Sequence, residues 1–424
     1  MSANADKFSR LAALKPARSI PAQPATLRAP DEEDLLGQLL GAGVAKNHFG
    51  EHLAVRNWFP TPEFAEPSSA ALELLSRMKD ESLSRKTRAA IGNPAKWLFL
   101  DTETTGLAGG TGTYAFLVGL AWWDAGGLQA EQLFMRDFTE EYSLLHELAA
   151  RIAERPVLFT FNGKSFDWPL LETRYRMTRS MTPPALRAHL DFLHPARNLW
   201  RLRLGSVRLS QLERHVLGWD RGHDLLSELI PSIYLNFVRY GHADPLVPVF
   251  QHNQMDLRGL AGLSGRILSL LGEETVSQDG LELYGVSRIC ERRGEVKRAR
   301  KLYEQSIAST LPSETDRAAR TALARLAKRD GDADFARELW ESILGNSREG
   351  YKAYEQLAIH LEHKAREPRQ ALGIVRDALA QLRRSSQLGM IEPAAYRRSK
   401  AQFEHRLARL ERKAGQTLLE AFDA

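Results

Sequence analysis

The segment Trp97–Leu107 reads WLFLDTETTGL, an apolar run that passes straight into Asp101 and Glu103. Strand side chains alternate between faces, so residues two apart share one. Asp101 and Glu103 are therefore expected side by side at the end of a buried strand. Two carboxylates so placed repel each other unless a cation neutralises them. An all-oxygen donor set suits a hard divalent ion, Mg²⁺ or Mn²⁺. Two later segments carry the same chemistry. VLFTFNGKSFD ends in Asp167, and HNQMDLRGL carries His252 and Asp256.

From Trp97 to about Gly272 the pattern is α/β. Strands are predicted at Trp97–Leu100, Tyr114–Trp123 and Leu128–Phe134, the last two separated by the turn residues Asp124-Ala-Gly-Gly127. Ser143–Glu154 has helical periodicity. A strand Val157–Phe161, a helix Trp168–Met177 and a strand Ala188–Phe192 follow. A further helix is predicted over Asp256–Leu270, with Asp256 at its start. His252 and Asp256, four apart, then share a helix face. Asp191 ends a predicted strand, and is either a support for the acidic site or a turn residue. Gly163-Lys164-Ser165 imitates a phosphate-binding loop, but Leu158 stands where that motif needs glycine.

In order and spacing these segments resemble the DnaQ-like DEDD exonucleases of the RNase H-like superfamily. Asp101 and Glu103 match its Asp-x-Glu element. Asn162, Phe166 and Asp167 match Asn-x-x-x-Phe-Asp, and His252 with Asp256 matches the third element. More narrowly, DTETTGLAGGTGTYAFLVGLA, FNGKSFDWPLL, HLDFLHPARNLW and HNQMDLRGL are similar to the YprB-type RNase H-like branch, over roughly Trp97–Leu271. The resemblance implies a mixed sheet with helices on both faces and a metal-dependent 3′–5′ exonuclease of DNA or RNA. It also implies two Mg²⁺ or Mn²⁺ ions, with Asp101 bridging both and Glu103, Asp167 and Asp256 completing their ligands. His252 suits a general base for the attacking water. Here the chain departs from pattern, because the His type has His-x-x-x-x-Asp and the Tyr type Tyr-x-x-x-Asp. His252 stands at the Tyr-type spacing, so orienting the water is the alternative role.

Phe192–Leu212 has no acidic residue and contains Arg197, Arg201, Arg203 and Arg208, with Trp200 among them. Cations beside an aromatic suit an unpaired nucleic-acid end, through phosphate contact and stacking. Trp200, Arg201, Arg203 and Asn162 are the expected substrate contacts. The alternation over Trp200–Leu204 fits an exposed strand edge guarded by charge as well.

From Leu281 to Ala424 the chain reads as all helical, with an internal repeat. GEVKRARKLYEQSI and GDADFARELWESIL superimpose, placing Ala299 with Ala336 and Tyr303 with Trp340. REPRQALGIVRDAL puts Ala371 and Val375 at the same offsets. The alanine steps of 37 and 35 residues lie near the ~34-residue TPR period. A TPR-like solenoid able to recruit a protein partner is expected over 281–424, and a cut near Gly272 is expected to leave a folded catalytic domain. The region holds 28 Lys/Arg against 21 Asp/Glu, a net of +7, while the whole chain is +5. The rest is therefore slightly acidic. The excess suits a phosphodiester substrate or simply a solvated helical surface.

Residues 1–30 are Ala-, Pro- and Ser-rich and read as a disordered tail. Residues 31–96 read as a mostly helical lead-in, from stretches such as DEEDLLGQLL and SAALELLSRM. Its pair His48 and His52, beside Glu51, reads as structural rather than as a zinc site. No apolar run approaches the ~18–20 residues of a membrane helix. The single cysteine, Cys290, excludes an intrachain disulfide and fits a reducing compartment, so a cytoplasmic location is expected. Two other functions compete with the exonuclease: a nucleic-acid-binding scaffold that recruits partners through its repeats, and a structure-specific endonuclease.

Overall fold

The computed structural model describes residues 36–60, 84–106, 111–124, 126–222, 224–272 and 277–422, with side chains to 413. The expected tail, the segment SAALELLSRM and the glycines 109 and 110 lie outside the described residues.

A mixed sheet of seven strands forms the centre. In chain order these are β1 (Gly43–Asn47), β2 (Gly50–Pro60), β3 (Trp97–Thr104), β4 (Ala115–Asp124), β5 (Gly127–Phe134), β6 (Val157–Thr160) and β7 (Ala188–Asp191). Their spatial order is β1-β2-β5-β4-β3-β6-β7. β3 pairs antiparallel with β4 and parallel with β6, which pairs parallel with β7. Around the sheet lie α1 (Arg85–Ile91), α2 (Glu141–Glu154), α3 (Asp167–Thr178), α4 (Leu193–Leu204), α5 (Leu209–Leu212), α6 (Ile230–Tyr240) and α7 (Val247–Leu271).

Both faces of β3 are covered, which is why WLFL is a continuous apolar run rather than an alternating one. Trp97 and Phe99 pack with Leu257, Leu260 and Ala261 of α7. Leu98 and Leu100 pack with Leu170 and Leu171 of α3 on the other face. Continuing the alternation, Asp101 and Glu103 fall on the α7 face and Thr102 on the α3 face.

The structure differs from the reading of residues 31–96. Residues 43–60 form an antiparallel hairpin that extends the sheet beside β5. Leu53 and Val55 are its buried apolar side chains, two apart as a strand requires. Gly50 takes φ 123° just after the turn. Helix in this stretch is limited, among the described residues, to residues 36–40, α1 and the 3-10 turn Pro94–Lys96. His52 is fully buried, its Nδ1 lies 2.8 Å from Ser143 Oγ, and burial pushes its pKa down to about 4. It is a neutral core histidine. α7 also begins earlier than expected, with Pro248 in its first turn. Asp256 is therefore mid-helix.

The C-terminal region is helical throughout its described length: α8 (Gly280–Arg292), α9 (Val296–Ala308), α10 (Ser313–Arg329), α11 (Ala333–Ser342), α12 (Arg348–His363), α13 (Pro368–Gln387) and α14 (Pro393–Phe422). Ala299, Ala336 and Ala371 are each fully buried, and Tyr303, Trp340 and Val375 pack beside them. Gly294 and Gly331 turn the chain between paired helices at φ 75° and 86°. Arg366 stands five residues before Ala371, as those glycines stand before Ala299 and Ala336, and it too is left-handed, at φ 57°.

Residues 97–272 share a packed surface with the helices that follow, a contact that bears on the expected cut at Gly272 without testing it. One continuous core joins Leu199 and Trp200 of α4 to Tyr284, Val286 and Tyr303. A Cβ on Gly285 would stand 2.6 Å from the Asn198 carbonyl, so α8 and α4 touch backbone to backbone. Arg298 Nη1 donates to the Leu271 carbonyl at 2.8 Å, closing the end of α7.

Candidate active site

β3 delivers Asp101 and Glu103, and α7 crosses that face of the sheet with His252, Asn253 and Asp256. Its close approach depends on Gly119, the partner of Asp101 on β4. A Cβ there would collide with the Asn253 amide. Asn253 is fully buried. Its Nδ2 donates to Asp101 Oδ2 at 2.8 Å, and its Oδ1 accepts from Gln132 Nε2 at 2.9 Å. The amide chain from β5 through α7 thus fixes one oxygen of Asp101.

Asp167 arrives from the other face of β3. It opens α3, and its Oδ1 accepts from the Thr102 hydroxyl at 2.5 Å. Burial is the largest effect on Asp101 and raises its pKa well above the ordinary value, with Asp256, Glu103 and Asp167 adding to the rise. Burial raises Glu103 likewise, reinforced by Asp256, Asp167 and Asp224. Burial pushes Asp167 up to about 6 against the Thr102 hydrogen bond. The four acids predicted from sequence are electrostatic neighbours.

Glu103 is 9% exposed and differs from the other buried glutamates. Glu131 is paired with Arg56 and Arg151, Glu140 with Arg136, and Glu141 with Arg174. Glu213 is paired with Arg221, Glu282 with Arg266, and Glu362 with Arg409 and Lys413. Glu103 and Asp101 have no such cation among the described residues. An ionised buried carboxylate needs a counter-charge, so this oxygen-only set suits a hard divalent ion. Among the described residues, no group of three or more His, Cys, Asp or Glu side chains stands arranged as a metal site.

Asp256 is partnered differently. Arg221 holds it, and the same guanidinium binds Glu213 and reaches Asp224 at 3.1 Å. Gly259 of α7 makes room for Glu213, whose carboxylate occupies the space of a Cβ. His252 Nδ1 lies 2.7 Å from Asp224 Oδ1, and its Nε2 lies 3.7 Å from Asp256 Oδ2. Burial opposes ionisation of Asp224, yet the hydrogen bonds from His252 and Arg221 hold its pKa below the ordinary value. Asn253, Arg221, Asp224 and Glu213 were missed in sequence. The signals available were the polar run His252-Asn-Gln and the charged cluster around Arg221 and Asp224.

The expected substrate contacts fare unevenly. Trp200 is fully buried and its Nε1 donates to Glu282 Oε1 at 2.7 Å, so it offers no stacking surface. The segment that carries it is helix α4, not a strand edge. Arg203 turns to Asp279, at 3.2 Å, and to the His215 carbonyl. Arg201 is exposed. Asn162 is a left-handed turn residue, φ 70°, and also lines a cleft beside His252 and Asp256. Asp191 ends β7 and accepts the backbone N–H groups of Asn162, Lys164 and Leu193, and its charge adds to the rise of the Asp167 pKa.

The RNase_H superfamily model matches residues 98–268. The sheet order and the acids at its centre agree with that class. The uncharacterized protein YprB of Bacillus subtilis (strain 168) is 31% identical over 315 residues, covering 73% of this chain and 75% of the relative. The chain belongs to the YprB-type family of the RNase H superfamily, a membership that supports a nuclease-type, hydrolytic function in general terms. Among solved structures, the family B DNA polymerase of the hyperthermophilic archaeon Pyrobaculum calidifontis overlaps 48% of this chain and 30% of its own, at 15% identity and a TM-score of 0.34. That overlap bears on neither fold nor activity. No helix among the described residues is long and apolar enough to cross a membrane.

Proposed function

We propose that the chain is a divalent-metal-dependent exonuclease that shortens DNA or RNA from the 3′ end. The observation that carries this reading is Glu103, buried without a cation beside Asp101 and raised in pKa by burial, Asp256 and Asp167. Asp101, Glu103, Asp167 and Asp256 would hold two Mg²⁺ or Mn²⁺ ions. Such ions, when bound, stabilise charge on the phosphoryl and leaving oxygens and lower the pKa of water. Asn253 keeps one oxygen of Asp101 fixed and leaves the other for that role. Arg221 orients Asp256 and offsets its charge. Asp224 accepts a hydrogen bond from the Nδ1–H of His252, which leaves the Nε2 lone pair 3.5 Å from the Ser227 hydroxyl and 3.7 Å from Asp256 Oδ2. From there it takes the proton of the attacking water or orients it. The paired helices of 281–424 are read as TPR-like and as the docking surface for a protein partner.

The test is a 5′-labelled single strand, deoxyribo or ribo, incubated with Mg²⁺, Mn²⁺ or EDTA. Metal-dependent shortening from the 3′ end, with circular strands untouched, is expected. Cleavage of the circles makes the protein an endonuclease. Binding without cleavage in either metal makes it a scaffold and overturns the proposal.

A further inference from the structure

Beside His252 and Asp256 lies an open cleft of about 680 Å³. That is the scale of a small-molecule or nucleotide site, ~300–1,000 Å³. Its walls come from the start of α4, the connection into α5 and the segment before α6. Arg197 and Arg208 stand on one wall, exposed, and neither has an ion-pair partner among the described residues. Leu226 stands on another, 67% exposed. Most arginines near the site are committed: Arg221 to Glu213, Asp224 and Asp256, and Arg203 to Asp279. Arg197 and Arg208 are free to take an outside anion.

We propose that this cleft is the track for an unpaired nucleic-acid strand: Arg197 and Arg208 contact phosphates, and Leu226 covers the apolar face of a base. The proposal rests on the nuclease reading for where the strand leads, since the cleft opens directly onto His252 and Asp256. It replaces Trp200, Arg201 and Arg203 as the expected contacts. Single strands are held by cationic grooves together with side chains that cover bases. An exposed leucine lining the same cleft as two exposed arginines supplies both parts.

Binding of fluorescein-labelled oligo(dT) and oligo(rU) to the full chain, followed by anisotropy in EDTA against salt, tests this without any cleavage. The double variant Arg197→Ala/Arg208→Ala should bind on the order of 10-fold more weakly, with a salt slope shallower by about 1.4, since each phosphate contact on a single strand contributes about 0.7. Leu226→Ser should weaken binding with the slope unchanged. Arg201→Ala, exposed on α4 but outside the cleft lining, should match wild type. Wild-type affinity and slope in the double variant would overturn the proposal, as would equal binding of a blunt duplex. Hydrolysis of thymidine 5′-(p-nitrophenyl phosphate) with Mn²⁺ is measured alongside. Its absence in wild type sinks the nuclease reading alone, because the binding data are taken without metal.

Discussion

Asp167→Asn should stabilise the metal-free protein at neutral and alkaline pH. Burial lifts the Asp167 carboxyl from its ordinary 3.8 to about 6, against the Thr102 hydrogen bond. The folded chain then binds this proton more tightly than the unfolded chain. Its contribution is fully favourable below about pH 4 and is lost as pH rises through about 6. At about 1.36 kcal/mol per pH unit, the ionised form costs about 3 kcal/mol. Asp167 keeps some solvent access, and screening brings the expected figure to about 1–3 kcal/mol. Asn removes the charge, and its Oδ1 still accepts from Thr102. Urea unfolding in EDTA should give the variant a higher midpoint at about pH 8 and little advantage at about pH 4. Added Mg²⁺ should raise wild type and narrow the gap, because a bound cation supplies the counter-charge that the buried carboxylate lacks. A variant no more stable than wild type at about pH 8 in EDTA would refute the claim that burial opposes ionisation of Asp167.

Asp101→Asn should abolish metal-dependent cleavage while circular dichroism and melting stay native, since Asn keeps the shape and loses the anion; wild-type turnover would remove Asp101 from the site. His252→Ala should slow cleavage by about 10²–10⁴ if the imidazole transfers the proton. His252→Tyr should recover part of that rate if orientation of the water is what matters. Arg366→Gly should raise stability by about 0.5–1 kcal/mol, because a left-handed residue with a Cβ is strained, and an unchanged urea midpoint would count against that turn. Deleting residues after Gly272 should give a destabilised or aggregating product, seen as a lower melting temperature in gel-filtered material.

The acids were legible because their spacing is local. A strand running into Asp-x-Glu, and His252 one helical turn from Asp256, announce themselves over a few residues. What was hidden is supplied across the fold. Asp224 precedes His252 by 28 residues, and Arg221 precedes Asp256 by 35. Nothing in one sequence ties such loop residues to a helix face. The hairpin of 43–60 was misread because its strand character comes from pairing with β5. Trp200 was misread by period. Trp200-Arg-Leu-Arg-Leu204 alternates like a strand, yet Ala196, Leu199 and Trp200 are buried at the i, i+3, i+4 positions of helix α4.

That helix explains why the catalytic and helical regions are one body. Its buried side carries Trp200 to Glu282 and packs Leu199 against α8. Arg197, one turn earlier, lines the cleft. α7 has the same double use. Its first half presents His252, Asn253 and Asp256, and its last carbonyls are closed by Arg298 of α9. Both walls of the site are therefore built on helices whose other sides or ends are finished by residues beyond 280. The helices after 280 therefore pack against the same α4 and α7 that carry the site residues, and the Gly272 deletion tests whether the site needs them.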